Sequence, residues 1–228
     1  MLITMYKYDT HLHTQEASAC ATVTGKEQAR IYKELGYSGI IVTDHFFGGN
    51  TAVKRNLPWK DRIDQFVTGY ENAKEEGDKI GLSVFFGLEE SFNGTDFLVY
   101  GLDKQFLYHN TDMSSWSVKD YYERVKEAGG FFVHAHPFRE AFYINEVRLF
   151  PEYEDAIEVV NVSHTDERFN KKAMEYATIH AKPFIEGSDA HHRGSPRGGM
   201  YFDHKLKDIH DFIKCVKNKE GIIISGKI

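Results

Sequence analysis

Twelve histidines stand in these 228 residues, more than a domain of this size usually carries, and most of the excess falls in a few short strings. His11-Leu12-His13, His134-Ala135-His136-Pro137 and Ser188-Asp189-Ala190-His191 each place imidazoles or carboxylates just past an apolar run, and Asp44-His45 and Glu89 end two more such runs. Alternate side chains of an extended segment share a side, so His11 and His13 can clamp one cation, and His134 and His136 repeat that spacing. Neutral imidazole is the commonest metal ligand. His45 reads as a ligand whose tautomer Asp44 would hold. A carboxylate ending a buried strand is costly unless it is paired or metal-bound, which makes Glu89 a candidate bridge between two cations. Asp189 and His191 offer an oxygen and a nitrogen to the same region. Singly, each group has a bland reading: a core or surface His, a capping Asp, a salt-bridged Glu. Jointly, five strand ends bearing nitrogen and oxygen ligands without sulfur describe a multinuclear centre for zinc, iron(II) or manganese, and hydrolysis as its chemistry.

These groups need strands to carry them, and the sequence supplies alternating strands and helices. Strands are expected at Tyr6–Leu12, Gly39–Thr43, Leu82–Leu88, Phe97–Tyr100 (returning after the Asn93-Gly94 turn), Phe131–Val133, Ala156–Val160, Pro183–Ile185, Met200–Phe202 and Gly221–Ser225. Helices are expected from the Thr24/Glu27 capping box to Leu35, from Trp59 to about Glu76, from a cap at Ser117 to Ala128, over Asn170–His180 and around Leu206–Lys217. Repeated βα units point to a parallel barrel or a doubly wound sheet. A barrel gathers working residues from the C-terminal ends of many strands, whereas a doubly wound sheet concentrates them at one switch point, so the ligand pattern favours the barrel.

With 41% hydrophobic and 27% charged residues, residues 1–228 read as one globular domain. The net charge of −6 disfavours a nucleic-acid polymer as partner. Cys20 and Cys215 are too few and too scattered for a disulfide framework or a thiolate zinc site. No apolar leader or membrane-length run is visible, so a cytoplasmic location is expected.

The motif order HxH, TDH, GxE, AHP and SDAH, spread along essentially the whole chain, resembles the PHP (polymerase and histidinol phosphatase) family. The resemblance implies a distorted (β/α)7 barrel with two or three divalent metal ions at its mouth, and phosphoester hydrolysis by water activated between cations. Carried over position by position, it implies His11, His13, Glu89 and Asp189 around one metal, Glu89 and His136 at a second, and His45 and His191 at a third. Two departures follow from the same comparison. Where members continue with Ser-Asp-Gly, this chain has Ser18-Ala19-Cys20, leaving Glu16 as the nearest carboxylate for the third position. Where members place a His after the glutamate motif, this chain has none, so Asp96 or Asp103 is the stand-in. Two metals are therefore the safer expectation.

A metal-dependent phosphatase acting on a small phosphomonoester (a sugar, amino-alcohol or nucleotide phosphate) is the resulting expectation. Glu89 and Asp189 would be catalytic through the metals, and His134 (or His192) would be the proton donor to the leaving group. Arg139 and Arg197 would clamp phosphate, since guanidinium matches its oxygens bidentately. The rivals are a metallohydrolase of the amidohydrolase type, against which Glu89 in the bridging role argues, and a non-catalytic metal-binding regulatory module.

Overall fold

A computed structural model describes residues 4–142 and 144–225; Tyr143 lies outside them. Strands β1 (Tyr6–Leu12), β2 (Gly39–Val42), β3 (Ser83–Phe92), β4 (Thr95–Tyr100), β5 (Phe131–Ala135), β6 (Ala156–Asn161) and β7 (Phe184–Gly187) pair in chain order. The pairings are parallel except at β4, which runs antiparallel to both neighbours. Asn93 and Gly94 explain that reversal: both take positive φ (52° and 85°), as a two-residue primed hairpin turn requires.

The sheet then closes. Just beyond β7, Ala190 bridges Leu12 in parallel, the Asp189 N–H donates to the His11 carbonyl at 2.8 Å, and the His13 N–H donates to the Ala190 carbonyl at 3.1 Å. β8 (Met200–Phe202) pairs with the first half of β1, and β9 (Ile222–Ile223) lines up on β8. The result is a nearly closed seven-stranded barrel with one reversed strand, as the (β/α)7 expectation had it.

Inside the barrel, Tyr8, Ile41, Leu98, Tyr100, Val133 and Ile185 form one cluster. Outside, α5 (Val118–Glu127) lays Tyr121 and Val125 over Phe97 and Phe132, and α1 (Gly25–Glu34) and α3 (Thr68–Ile80) bring Ala29, Tyr32 and Ala73 onto Leu12, Ile40 and Val42. Both expected capping boxes form, Thr24 with Glu27 and Ser117 with Asp120. Further along, α6 (Glu167–Ile179) and α7 (Ile209–Lys217) complete the longer helices.

The single helix expected from Trp59 to about Glu76 is instead two, α2 (Trp59–Phe66) and α3, joined at Val67. At the joint the Thr68 hydroxyl donates back to the Asp64 carbonyl at 3.0 Å, a bond that bends helices. The short α4 (Lys104–His109), capped by Asp103, was not legible in the sequence pattern.

Glycine sets how close α1 and α3 come. A Cβ on Gly25 would lie 2.0 Å from the Gly69 carbonyl oxygen, and one on Gly69 would lie 1.9 Å from Thr14 Oγ1. Gly25→Ala, whose Cβ would meet the Gly69 backbone, is therefore expected to overpack this contact and cost about 1–3 kcal/mol in urea unfolding. A loss within about 0.5 kcal/mol, the range of surface substitutions, would show that the helices can move apart freely.

Candidate metal centre

The C-terminal ends of the strands converge as the barrel closes. His11 ends β1 and His13 follows it; His45 follows β2; Glu89 lies in β3; His136 follows β5; Asp189 and His191 follow β7. Among the described residues, their donor atoms form three overlapping groups of metal-binding size: His11, His13 and Asp189; His11, Glu89 and His136; His13, His45 and His191. Glu89 sits among four imidazoles, with Oε1 3.1 Å from His136 Nε2 and 3.5 Å from His11 Nε2, and Oε2 2.7 Å from His45 Nδ1 and 3.6 Å from His13 Nε2. Asp189 Oδ1 lies 3.1 Å from His13 Nε2 and 3.6 Å from His11 Nε2.

Hydrogen bonding on the far side of the rings decides what the near side offers. His11 Nδ1 faces the Glu158 carboxylate at 2.8 Å and so carries the proton. His13 Nδ1 faces Ser18 Oγ at 3.1 Å; that hydroxyl already donates to Asp44 Oδ1 at 2.7 Å, so His13 must be the donor. Both Nε2 atoms then present lone pairs, and they face each other 3.1 Å apart. Positive charge therefore belongs between them: the second proton that the surrounding carboxylates hold on His11 in the metal-free chain, or a bound cation in its place. Glu89 Oε2 adds to the case, because it is buried and no hydrogen-bond donor is assigned to it, although it lies 2.7 Å from His45 Nδ1 as an ion pair. This donor set of imidazoles and carboxylates fits divalent zinc, manganese or iron(II).

Electrostatics agree. Burial opposes charge on His11, yet Glu158, Asp189 and Glu89 together raise it well above its ordinary value. Burial likewise opposes charge on Glu89 and Asp189, but the facing histidines hold both carboxyls well below the usual range. His13 goes the other way: burial and the neighbouring His191 and His45 keep it well below its usual value.

Several residues are placed differently from the sequence expectation. Asp44 does not touch a His45 nitrogen; it accepts from the Thr14 N–H and hydroxyl, both at 2.6 Å, and from Ser18, so it orients His13 through Ser18. His134 is not at the centre. It bonds Glu154 at 2.8 Å and stacks on Phe97 in the outer layer. Strand alternation would send His136 outward with it, but His136 has φ +31°, which turns its ring back to the mouth. Glu16 is drawn to the N-terminus of α1, accepting from the Gly25 N–H at 3.1 Å and from Asn72, a favourable place for a carboxylate.

The Arg197 guanidinium donates to the backbone carbonyls of His192, Arg193, Ser195 and Pro196, so it staples its own loop. Arg139 does reach the centre, with Nη1 3.1 Å from Asp189 Oδ2. Asp96 stands at its edge, 4.0 Å from His136 Nε2, while Asp103 caps α4. His192 is exposed beside Thr22. His164 bonds Asn170 at 2.8 Å, and burial and His136 lower it to about 4.

Three participants escaped the sequence reading. Glu158 accepts from His11, from the His136 N–H at 3.0 Å and from Asn161 Nδ2 at 3.2 Å. A charged residue inside the apolar run Ala156–Asn161 was the available signal. Asn161 also approaches Asp189 Oδ2 at 3.4 Å. Cys20 sits against His45 and His191; burial alone would raise its thiol, but hydrogen bonds and charge from the two rings bring it down to about 6.

The cluster floors an open cleft of about 850 Å³ rimmed by Cys20, Asn50, Asp96, Arg139, Asn145 and Ser195, within the range of small-molecule sites. A larger groove of about 1050 Å³ lies at the other end of the strands, between α3, α4 and the loop before α7. It contains none of the converging ligands, so the chemistry belongs to the smaller cleft.

Known structures share this fold. A two-domain protein from Bacteroides vulgatus, described as containing a PHP-like metal-dependent phosphoesterase, superposes with a TM-score of 0.72 over 97% of this chain and 65% of its own, at 17% identity. The fold is the PHP-type barrel. A protein from Bifidobacterium adolescentis, described as a metal-dependent phosphoesterase, matches at TM-score 0.60 over 92% of this chain and 95% of its own, at 16% identity. An amidohydrolase from Chromobacterium violaceum, solved with bound sulfate and no metal, matches at 0.57 over 82% of this chain and 88% of its own, also at 16% identity. The chain thus spans somewhat less than two thirds of the first of these proteins. No protein-family model matches it, and no curated sequence does. No helix among the described residues is long and apolar enough to cross a membrane.

Proposed function

We propose that the chain is a metal-dependent hydrolase of small phosphomonoesters. The observation that carries this reading is the convergence of His11, His13, Glu89, His136, Asp189, His45 and His191 into three overlapping groups of metal-binding size, with the Nε2 atoms of His11 and His13 3.1 Å apart beneath Glu89 and Asp189. His11, His13, Glu89, Asp189 and His136 would hold two ions, and His45 and His191 would flank a third. When bound, such ions supply Lewis-acid polarisation of a phosphoryl oxygen and an acidified water.

The chain's own groups do the rest. Glu158, Ser18 and Asp44 keep the Nδ1 protons of His11 and His13 in place, leaving the opposite nitrogens to ligate. Arg139, partly exposed at the rim beside Asp189, is the guanidinium suited to the equatorial phosphate oxygens. Two neighbours of the same fold described as metal-dependent phosphoesterases support the reaction class.

A second reading, hydrolysis of a C–N bond, is favoured by the amidohydrolase neighbour. Against it, the bridging role falls to Glu89, and no lysine is among the residues lining the cleft. A single panel separates the two: protein reconstituted with zinc, manganese or iron(II), assayed against phosphomonoesters, phosphodiesters, amides and lactones. Turnover confined to phosphomonoesters, abolished by chelation and restored by metal, is the expected result; turnover of amides alone would reverse the assignment. Arg139→Gln should raise KM roughly tenfold or more, the order of a charge-assisted bond of about 1.5–3 kcal/mol; an unchanged KM would remove Arg139 from the phosphate site.

A further inference from the structure

We propose a second cation site, for zinc or a similarly soft divalent ion, made by His204, Asp211 and Cys215 at the end of the barrel away from the mouth. β8 runs antiparallel to β1 with Phe202 opposite Tyr6, so the loop that follows emerges beside the start of β1. That loop carries His204 and then enters α7, where Asp211 and Cys215 stand four residues apart and so share a face. Among the described residues, their donor atoms form a fourth group of metal-binding size, with no member in common with the centre at the mouth. Asp211 Oδ2 lies 3.2 Å and Cys215 Sγ 4.0 Å from His204 Nε2. A tetrahedral zinc, with nitrogen and oxygen at about 2.1 Å and sulfur at about 2.3 Å, would set those edges at about 3.4 and about 3.6 Å. Small side-chain shifts would seat it.

The ring is already turned for ligation. His204 Nδ1 donates to Asp203 Oδ1 at 2.7 Å, the carboxylate–histidine pairing that fixes a ligating tautomer, and Nε2 is left facing an oxygen and a sulfur. In the metal-free chain, hydrogen bonds to Asp203 and Asp211 favour a second proton on this imidazole and raise it above its ordinary value. That proton accounts for the contact with Asp211 but not for the thiol, which is buried, at 1% exposure, yet reaches the same nitrogen. The frame is fixed as well. The Leu206 N–H donates to Tyr8 Oη at 2.9 Å, the Lys207 N–H to Asp211 Oδ2 at 3.1 Å, and the Asp211 N–H to Asp208 Oδ1 at 2.9 Å. His204 is 43% and Asp211 17% exposed at the side chain, which gives an ion a route in and leaves water as its fourth ligand. Binding forms one bond to the metal from each of nitrogen, oxygen and sulfur. It releases the thiol proton and the second imidazole proton to solvent, with no change of oxidation state. A set that includes sulfur prefers zinc or cobalt(II) to magnesium or manganese. The same loop lines the larger groove, so a bound ion would pin one wall of it.

Cobalt(II) tests this without an activity assay. The metal-free full chain, titrated with cobalt(II), should develop a thiolate-to-cobalt charge-transfer band in the near ultraviolet, which zinc abolishes and magnesium does not. Cys215→Ser should lose that band with unchanged circular dichroism. His204→Gln and Asp211→Asn should weaken the cobalt affinity read from the band by at least the roughly tenfold that losing even an outer partner of a ligand costs. These two variants decide the matter if Cys215→Ser does not fold. Glu89→Gln, which disables the centre at the mouth, should keep the band, and so should Cys20→Ala. A band that survives Cys215→Ser, that disappears in Cys20→Ala or Glu89→Gln, or whose affinity is unchanged in His204→Gln overturns the inference. Cobalt binding without a sulfur band also overturns it and leaves the centre at the mouth standing. Failure to bind cobalt at all overturns both.

Discussion

Replacing Glu89 with Gln is expected to strip metal from the centre and to lower kcat/KM by at least about 100- to 1000-fold, the scale of losing one preorganised electrostatic partner in an active site. Four imidazoles surround this carboxylate, from 2.7 to 3.6 Å, and it is only 1% exposed. Glutamine keeps the volume and one oxygen. It loses the charge, and its NH2 group must face at least one imidazole lone pair that a cation would otherwise occupy. In the metal-free chain the same carboxylate helps to hold His11 and His45 above their ordinary values, so the variant should also bind fewer protons there. Metal content by elemental analysis and kcat/KM against the best phosphomonoester check the expectation together. Full metal content with kcat/KM within about tenfold of the parent, a change of only about 1.4 kcal/mol, would remove Glu89 from the bridging role.

The second large effect is expected at Glu158, which contacts no site for substrate and acts through His11. Its two oxygens take the His11 Nδ1 proton, the His136 N–H and the Asn161 amide. Glu158→Gln keeps one acceptor and replaces the other with a donor. Where that donor meets His11, the ring must accept at Nδ1 and carry its proton on Nε2, the nitrogen turned toward His13 and the carboxylates. Metal affinity should then fall roughly 10- to 100-fold, as is typical when the outer partner of a ligating histidine is removed, with the secondary structure intact. Glu158→Ala should do more, leaving the buried His11 Nδ1 and His136 N–H donors without an acceptor and costing about 3–5 kcal/mol in unfolding free energy. Competitive metal titration reads the first outcome and urea denaturation the second. Parent-like metal affinity in Glu158→Gln would show that His11 does not depend on this carboxylate for its tautomer.

Much of the site was legible in the chain itself. Apolar runs ending in His11-x-His13, Asp44-His45, Glu89 and Asp189-x-His191 specify strand ends bearing ligands, because alternation and burial are local properties of a strand. Only a barrel brings that many strand ends to one mouth, so the same pattern carried the architecture. The helix break at Val67 was not legible, since it depends on a hydroxyl bonding back to the chain at Thr68.

Tertiary structure decided the rest, and for one physical reason: each outcome depended on a partner remote in sequence or on a backbone angle that composition does not encode. His134 and His136 share a spacing that predicts a common side, yet the φ of +31° at His136 separates them. Asp44 stands next to His45 but serves His13, because folding places Ser18 and Thr14 against it. Glu16 goes to a helix N-terminus and Arg197 to its own loop, where each finds partners. Glu158 lies 147 residues from the histidine it orients, and Cys20 shares a cleft with His191 only because the barrel closes between β7 and β1. The chain's local pattern determined which groups face the mouth of the barrel. The closed fold determined which of them converge and which brace the ones that do.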